Sequence, residues 1–449
     1  MSNSTQRSSS PALSLENFLR SSQDEKAQQA LESALSFIDS LKEYGYVRIL
    51  SSPVFEDLVA ASQFQQTFEN NGIKAIVDVF PLKEPDQDSP LISIGLRTSK
   101  RKGPTLEIVP GPSIVVENKV SFWVKDANPS SIAIKLLEER FIVRDEHKLF
   151  TLVASYVAEE NPLEGLTSLV VESLKLSNVV KEDITFSLYK WKSLPLCHSV
   201  AYTAIPYFVA LTASPEKVCN YLRESKLDVD ETTTIKDLMQ RNESETLVEI
   251  IKALVTYLSE VSKRGERDPS EILDRGVELN EEILKERRLP KILVHGFKQA
   301  SFVFLSVIDM SLYHVVALPA LSYYFYRAEE LYLKNLRFAS RELPNALISS
   351  KLVSQGGRKV TVLSFDELPP SPTLLYRMIR DFGIGRSLGH VVAFRSGKRD
   401  IVPFDILKRS GLDIERVTRK ALEDGWEVSG GSLVVEDEKG DKIKKLLLS

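Results

Sequence analysis

The residues best equipped for chemistry in this chain fall into two groups. The first surrounds the turn Ser51-Ser52-Pro53-Val54-Phe55-Glu56-Asp57, which follows the short apolar run Val47, Ile49 and Leu50. Glu56, Asp57 and the distant Glu160 are carboxylates, the groups that hold divalent cations or move protons. A turn after the first strand of a β-α-β unit is where α/β folds place ligand-binding groups. Yet this turn has no glycine to let the backbone approach a phosphate, and no histidine stands beside its acids. The second group is basic. Arg377 to Lys420 holds eleven Lys/Arg against five Asp/Glu, in a chain whose formal net charge is -4. Arginine forks match phosphate oxygens. Arg386, Arg395, Lys398, Arg399, Lys408 and Arg409 are therefore candidate contacts to a nucleic-acid backbone. A protein-docking face and a plainly solvated face remain open for the same stretch.

Other motifs carry less. Gly383-Ile384-Gly385-Arg386 follows a helical pattern rather than a strand, and no Lys-Ser/Thr comes after it. It reads as a tight turn presenting Arg386, not as a nucleotide loop. Cys197-His198 are adjacent and flanked by apolar Leu196 and Val200, so they read as a core pair rather than a nucleophile with its base. Asp309 and His314 interrupt an apolar stretch, either as a proton relay or as satisfied buried polar groups. His147, His198, His295, His314 and His390 are scattered, with no HxH or HxxxH pair. With only Cys197 and Cys219, neither a disulfide framework nor a four-cysteine zinc site is expected, and a reducing interior fits best. No catalytic, metal or cofactor residue is assigned.

The elements that must position these groups follow from periodicity. Leu58, Ala61, Phe64 and Phe68 recur at helical spacing, Asn70-Asn71-Gly72 stops that helix, and Ile76, Val77 and Val79 return as a buried strand. This is a β-α-β unit with a right-handed crossover. Ahead of it, Ser22 and Asp24 suit helix caps, and Ala27, Ala30, Leu31, Ala34, Phe37, Ile38 and Leu41 form a stripe that packs on the sheet. Leu91–Gly95, Leu106–Val109, Ser113–Glu117 and Val120–Val124 add strands, and 131–140 and 146–158 add helices. The fold class is α/β with a mostly parallel sheet. Ser214-Pro215-Glu216 opens a helix with serine at the cap and proline in the first turn. Residues 235–264 are helical, and 264–291 read as solvated helix and connector. Residues 328–343 form a helix stopped at Pro344, and Gln355-Gly356-Gly357 marks a break. A smaller α/β domain follows, with strands at 360–365, 390–394 and 432–435 and helices at 374–382, 414–422 and 439–448.

Residues 1–12 are Ser-rich and polar, a flexible tail rather than a signal peptide. Residues 301–326 are strongly apolar, but Asp309, His314 and Pro319 interrupt them, so they read as a buried strand at 302–307 and then a helix, not a membrane span.

In this order of elements the chain resembles the RecJ-like branch of the DHH phosphoesterase superfamily along nearly its whole length. The family's first strand ends in a His-x-Asp-x-Asp-Gly turn, where this chain has Ser52-Pro53-Val54-Phe55-Glu56-Asp57. The family's Asp-x-Gly resembles Ser93-Ile94-Gly95, its Asp-His-His falls on Val109-Pro110-Gly111, and a later metal-binding aspartate falls near Glu160. The terminal glycine run ending in histidine corresponds to Gly430-Gly431-Ser432, with serine in the histidine's place. The resemblance implies a DHH-like domain at 13–225, a helical connector at 226–350 and a DHHA1-like domain at 351–449. It also implies lost catalysis, because two-metal phosphodiester hydrolysis needs carboxylates and imidazoles that serine, valine and proline cannot supply. The resemblance is to the silent, archaeal form of that superfamily, the Cdc-type subunit of the CMG helicase. It implies a non-enzymatic, cytoplasmic, nucleoid-associated replication scaffold with no cofactor, which binds GINS, bridges it to MCM and helps hold the helicase ring closed on DNA; direct contact with single-stranded DNA through the basic stretch stays open beside it. A divergent metal-dependent exonuclease and a plain single-strand binding protein are the alternatives.

Overall fold

A computed structural model of the chain describes residues 13–22, 24–81, 86–98, 101–240, 244–261, 267–280, 282–283, 289–310, 318–355, 358–437, 442–443 and 445. The expected tail at 1–12, His314 and most of the expected closing helix at 439–448 lie outside them. The chain divides into two compact units. The first takes the chain to Ser52 and then Glu56–Val180; the second takes Pro53–Phe55 and everything from Lys181 onward.

The first unit is built as its periodicity predicts. α1 (Leu15–Ser22) and α2 (Glu25–Tyr44) lead into β1 (Tyr46–Ser51), α3 (Phe55–Asn70) and β2 (Lys74–Val79). Asp24 caps α2 by accepting from the Ala27 N–H, and the seven stripe residues from Ala27 to Leu41 are all buried. Gly72 takes the left-handed conformation that ends α3, with φ 78°. β3 (Leu91–Ile94), β4 (Thr105–Ile108), β5 (Ile114–Val116) and β6 (Lys119–Ser121) complete a six-stranded sheet of order β2-β1-β3-β4-β6-β5. Every pairing in it is parallel except β5 with β6. α4 (Pro129–Glu138), α5 (Asp145–Val157) and α6 (Gly165–Leu176) close the unit.

The second unit contains β7 (Val180–Phe186), α7 (Leu196–Ala201), α8 (Pro215–Glu224), α9 (Ile235–Gln240), α10 (Ser244–Val261) and β8 (Leu273–Leu279). Then come α11 (Phe297–Met310), α12 (Leu318–Ile348), β9 (Lys351–Gln355), β10 (Arg358–Phe365), α13 (Pro372–Asp381), β11 (His390–Ser396), β12 (Arg399–Pro403), α14 (Phe404–Arg409), α15 (Ile414–Glu423), β13 (Glu427–Ser429) and β14 (Ser432–Glu436). Its six-stranded sheet runs β13-β14-β12-β11-β10-β9, with β10 and β11 parallel and the remaining pairs antiparallel.

Four expectations are corrected here. Residues 302–307 are helical, inside α11, not a strand. Ten consecutive buried residues give no polar face, so periodicity cannot distinguish the two. α12 does not stop at Pro344 but runs to Ile348. The proline forfeits one backbone hydrogen bond close to the helix end, where the loss is small. The stretch 264–291 holds a strand, β8, which pairs with β7. Its partner lies far back in sequence, so nothing local marks it. Finally, Cys197 and Cys219 are bonded to each other and link α7 to α8. They form no framework, but they are not free thiols.

Candidate functional site

β1 and β3 are adjacent and parallel, so the turns after them open at the same sheet edge. Ser51 and Ser52 are buried there, and Glu56 and Asp57 lie buried in the first turn of α3. Carboxylates are electrostatically favoured at that helix end. The Ser52 hydroxyl donates to Asp57 Oδ2. Gly95, at the end of β3, has φ 73°, and a Cβ there would lie 2.7 Å from Asp57 Cγ and 3.0 Å from Ser52 Oγ. Glycine is kept at this position because Asp57 and Ser52 fill the space over it. The Asp57 carboxylate thus faces a serine hydroxyl and a glycine backbone.

The segment corresponding to Asp-His-His follows β4. Val109 is buried, and Arg97 Nη2 donates to the Pro110 carbonyl at 3.0 Å. Two residues earlier, Glu107 is almost fully buried and accepts from Thr98 N at 2.7 Å, Thr98 Oγ1 at 2.6 Å, Ser121 Oγ at 2.8 Å and Lys119 Nζ at 3.2 Å. Burial pushes its carboxyl up, but the Thr98 and Ser121 hydrogen bonds and the Lys119 charge outweigh burial and hold it below its ordinary value. Sequence reasoning missed Glu107; no local pattern marks it. Glu160 accepts from Asn128 Nδ2 at 2.6 Å, and Asn128 Oδ1 caps α4 through the Ser131 N–H. Glu160 therefore ties the start of α4 to the end of α5. Among the described residues, no group of three or more His, Cys, Asp or Glu could share a metal ion. Serine, proline and valine at the positions that the resemblance gives to metal ligands do not fit a divalent pair.

The glycine pair near the C-terminus turns the β13–β14 hairpin. A Cβ on Gly430 would meet the Asp309 carbonyl at 2.9 Å, and one on Gly431 would strike the Ile308 side chain. These glycines admit α11. Asp309 itself is partly buried and accepts from Ser371 Oγ at 2.5 Å and Thr373 Oγ1 at 2.8 Å, at the N-terminus of α13.

The six candidate basic residues are not gathered on one spot. Arg395 ends β11, and Lys398 and Arg399 lie in the hairpin that follows it. Lys408 and Arg409 end α14, next to Ser410, whose hydroxyl donates to the His390 carbonyl at the start of β11. Arg386 precedes β11 and donates to the Arg380 carbonyl at 2.7 Å. The two sets are separated by the length of β11, roughly 20 Å at the usual rise per residue. Their charges also differ in availability. Arg395 is held bidentate by Asp400, at 2.6 and 2.6 Å. Arg409 faces Asp405 at 3.4 Å, which also pairs with buried Arg377 at 2.8 Å. Arg386, Lys398 and Arg399 are exposed.

No family model matches the chain, and no curated protein matches it by sequence. Among solved structures it is similar to CDC45 from Entamoeba histolytica, with a TM-score of 0.62 over 94% of this chain and 98% of that chain, at 9% identity. A manganese-bound exonuclease RecJ aligns with a TM-score of 0.38 over 93% of each chain, at 12% identity. A DHH-domain protein, PF0399, aligns with a TM-score of 0.38 at 10% identity, over 96% of this chain and 95% of that one. No helix among the described residues is long and apolar enough to cross a membrane. The chain shares the fold of the CDC45 structure.

Proposed function

We propose that this chain is a non-catalytic DNA replication factor of the CDC45 kind, a scaffold that binds GINS, bridges it to MCM and helps hold the helicase on DNA. The observation that carries the reading is the filled sheet edge: Ser52 hydrogen-bonds Asp57, and both close over Gly95. A hydrolytic centre needs converging ligands and room for substrate oxygen. Here the corresponding side chains bond one another instead. A site so occupied leaves the surface as the working part. Exposed Arg386, Lys398 and Arg399 support an additional contact with single-stranded DNA. The reading places the protein in the cytoplasm at the nucleoid.

The test is co-purification of untagged chain with tagged GINS and with MCM, each at micromolar concentration. Stoichiometric recovery with GINS supports the scaffold, and failure to recover it removes that reading. In parallel, the chain incubated with labelled single strands and Mn²⁺ should release no nucleotides. Release that Glu56→Gln abolishes would establish a nuclease instead.

A further inference from the structure

Residues 202–213 connect α7 to α8 and reach three further helices of the second unit, α10, α12 and α13. The Tyr202 carbonyl accepts from Tyr332 Oη at 2.8 Å, and that hydroxyl accepts from the Ala204 N–H at 3.1 Å, which engages α12. Tyr207 Oη donates to the Ala339 carbonyl, also on α12, at 3.3 Å. The Val209 carbonyl accepts from Tyr257 of α10. The Tyr207 N–H donates to Asp381 Oδ2 at the end of α13, at 2.9 Å. Asp381 also receives both hydrogen bonds of the buried Arg267 Nη2, at 3.0 Å each. A loop without secondary structure thus supplies one of the groups that satisfy a buried carboxylate.

What fixes this loop is its base. Its two ends are joined by the Ala213 N–H donating to the Ala201 carbonyl at 2.8 Å, and by the Cys197–Cys219 disulfide, 22 residues apart in sequence. Both cysteines are buried, at 0% and 2% exposure, within the core that packs α7, α8 and α10. They are the only cysteines in the chain. Closing the loop covalently removes the open forms in which Tyr207 would leave Asp381.

We propose that the Cys197–Cys219 bond is a redox-controlled lock on residues 202–213. Oxidised, it holds the Tyr207 N–H against Asp381 and so completes the Arg267–Asp381 clamp. A dithiol opens it: the Sγ–Sγ bond takes two electrons and two protons, Cys197 and Cys219 become thiols, and the dithiol is oxidised to its own disulfide. Because both sulfurs are buried, attack must wait for α7 and α8 to part, so the folded chain resists reduction far longer than the unfolded one. The lock is independent of what the protein binds.

The test uses the full chain purified without reductant. Denatured without reductant, it should take up no thiol alkylating agent; uptake of two alkyl groups overturns the proposal. The chain reduced with a dithiol, and Cys197→Ser/Cys219→Ser, are then compared with the oxidised chain by hydrogen exchange. The Tyr207 amide should exchange at least tenfold faster in both, while the amides of β10 and β11 keep their rates. Unchanged exchange at Tyr207, or equal acceleration of every amide, overturns the lock. If the double variant does not fold, the reduced wild-type chain gives the same comparison.

Discussion

Asp57 and Gly95 share one space: a Cβ at position 95 would stand 2.7 Å from Asp57 Cγ. The two residues lie on different elements, α3 and the turn after β3, and each restricts what the other can be. Gly95 is also in the left-handed region, at φ 73°. Gly95→Ala therefore meets both backbone strain and a collision, and should cost about 3 kcal/mol. Shortening the opposing side chain in Asp57→Ala/Gly95→Ala should recover the part due to the collision and leave the part due to strain. Urea denaturation of the two variants separates these contributions. A Gly95→Ala protein as stable as wild type would mean the space is open.

Asp309 makes stability depend on pH in an unusual direction. Burial pushes its carboxyl up to about 7 against the hydrogen bonds from Ser371 and Thr373. The folded chain keeps a proton that the unfolded chain releases near about pH 4. Its contribution is thus complete below about 4 and is lost as pH rises through about 7. His147 and His295 act oppositely, because burial holds both down at about 4. Their contribution is present above about 6.5 and lost as pH falls through about 4. Asp309→Asn removes the contribution that declines with pH. Between roughly pH 4.5 and 6.5, its stability should climb more steeply than that of wild type, by about 1.4 kcal/mol per unit. Denaturant midpoints across that window give the two slopes, and identical slopes would mean Asp309 is ionised in the folded chain.

Arg377 and Asp405 are both buried and paired at 2.8 Å. Removing only the cation in Arg377→Met leaves a buried carboxylate facing Arg409 at 3.4 Å. The loss should be about 3–5 kcal/mol. Arg377→Met/Asp405→Leu removes both charges and should lose much less. A double variant as unstable as the single one would show that the pair stabilises through packing and not through charge.

The basic residues should differ when single-stranded DNA is titrated against salt. Arg386→Ala and Arg399→Ala each remove an exposed charge and should reduce the slope of log affinity against log salt by roughly 1. Arg395→Ala removes a charge already satisfied by Asp400 and should change the slope less. Equal effects from all three would mean that Arg395 leaves Asp400 when DNA binds.

The first sheet was legible because its signals are local. The α2 stripe, the Asp24 cap and the Gly72 stop each sit within one element, and all appear where the residues place them. The altered turn at Ser52 was also legible, since it is read from residue types alone. What was not legible depends on partners far apart in sequence. β8 has meaning only beside β7, and α11 is apolar on every side, which erases the period. The Cys197–Cys219 bond needed the return of α8 onto α7, which spacing does not encode. In the basic stretch, composition counted the charges but could not see that Asp400 and Asp405 answer Arg395, Arg377 and Arg409.

The ribbon of β7 and β8 sets a timetable for synthesis. β7 begins at Val180 and β8 at Leu273, so the first strand leaves the ribosome well before its mate. At ordinary translation speeds the wait is roughly 5 to 20 s. During it, every strand of the first six-stranded sheet has already been synthesised, whereas β7 is still without its mate. A chaperone that masks exposed strand edges would find a target on β7 in that interval.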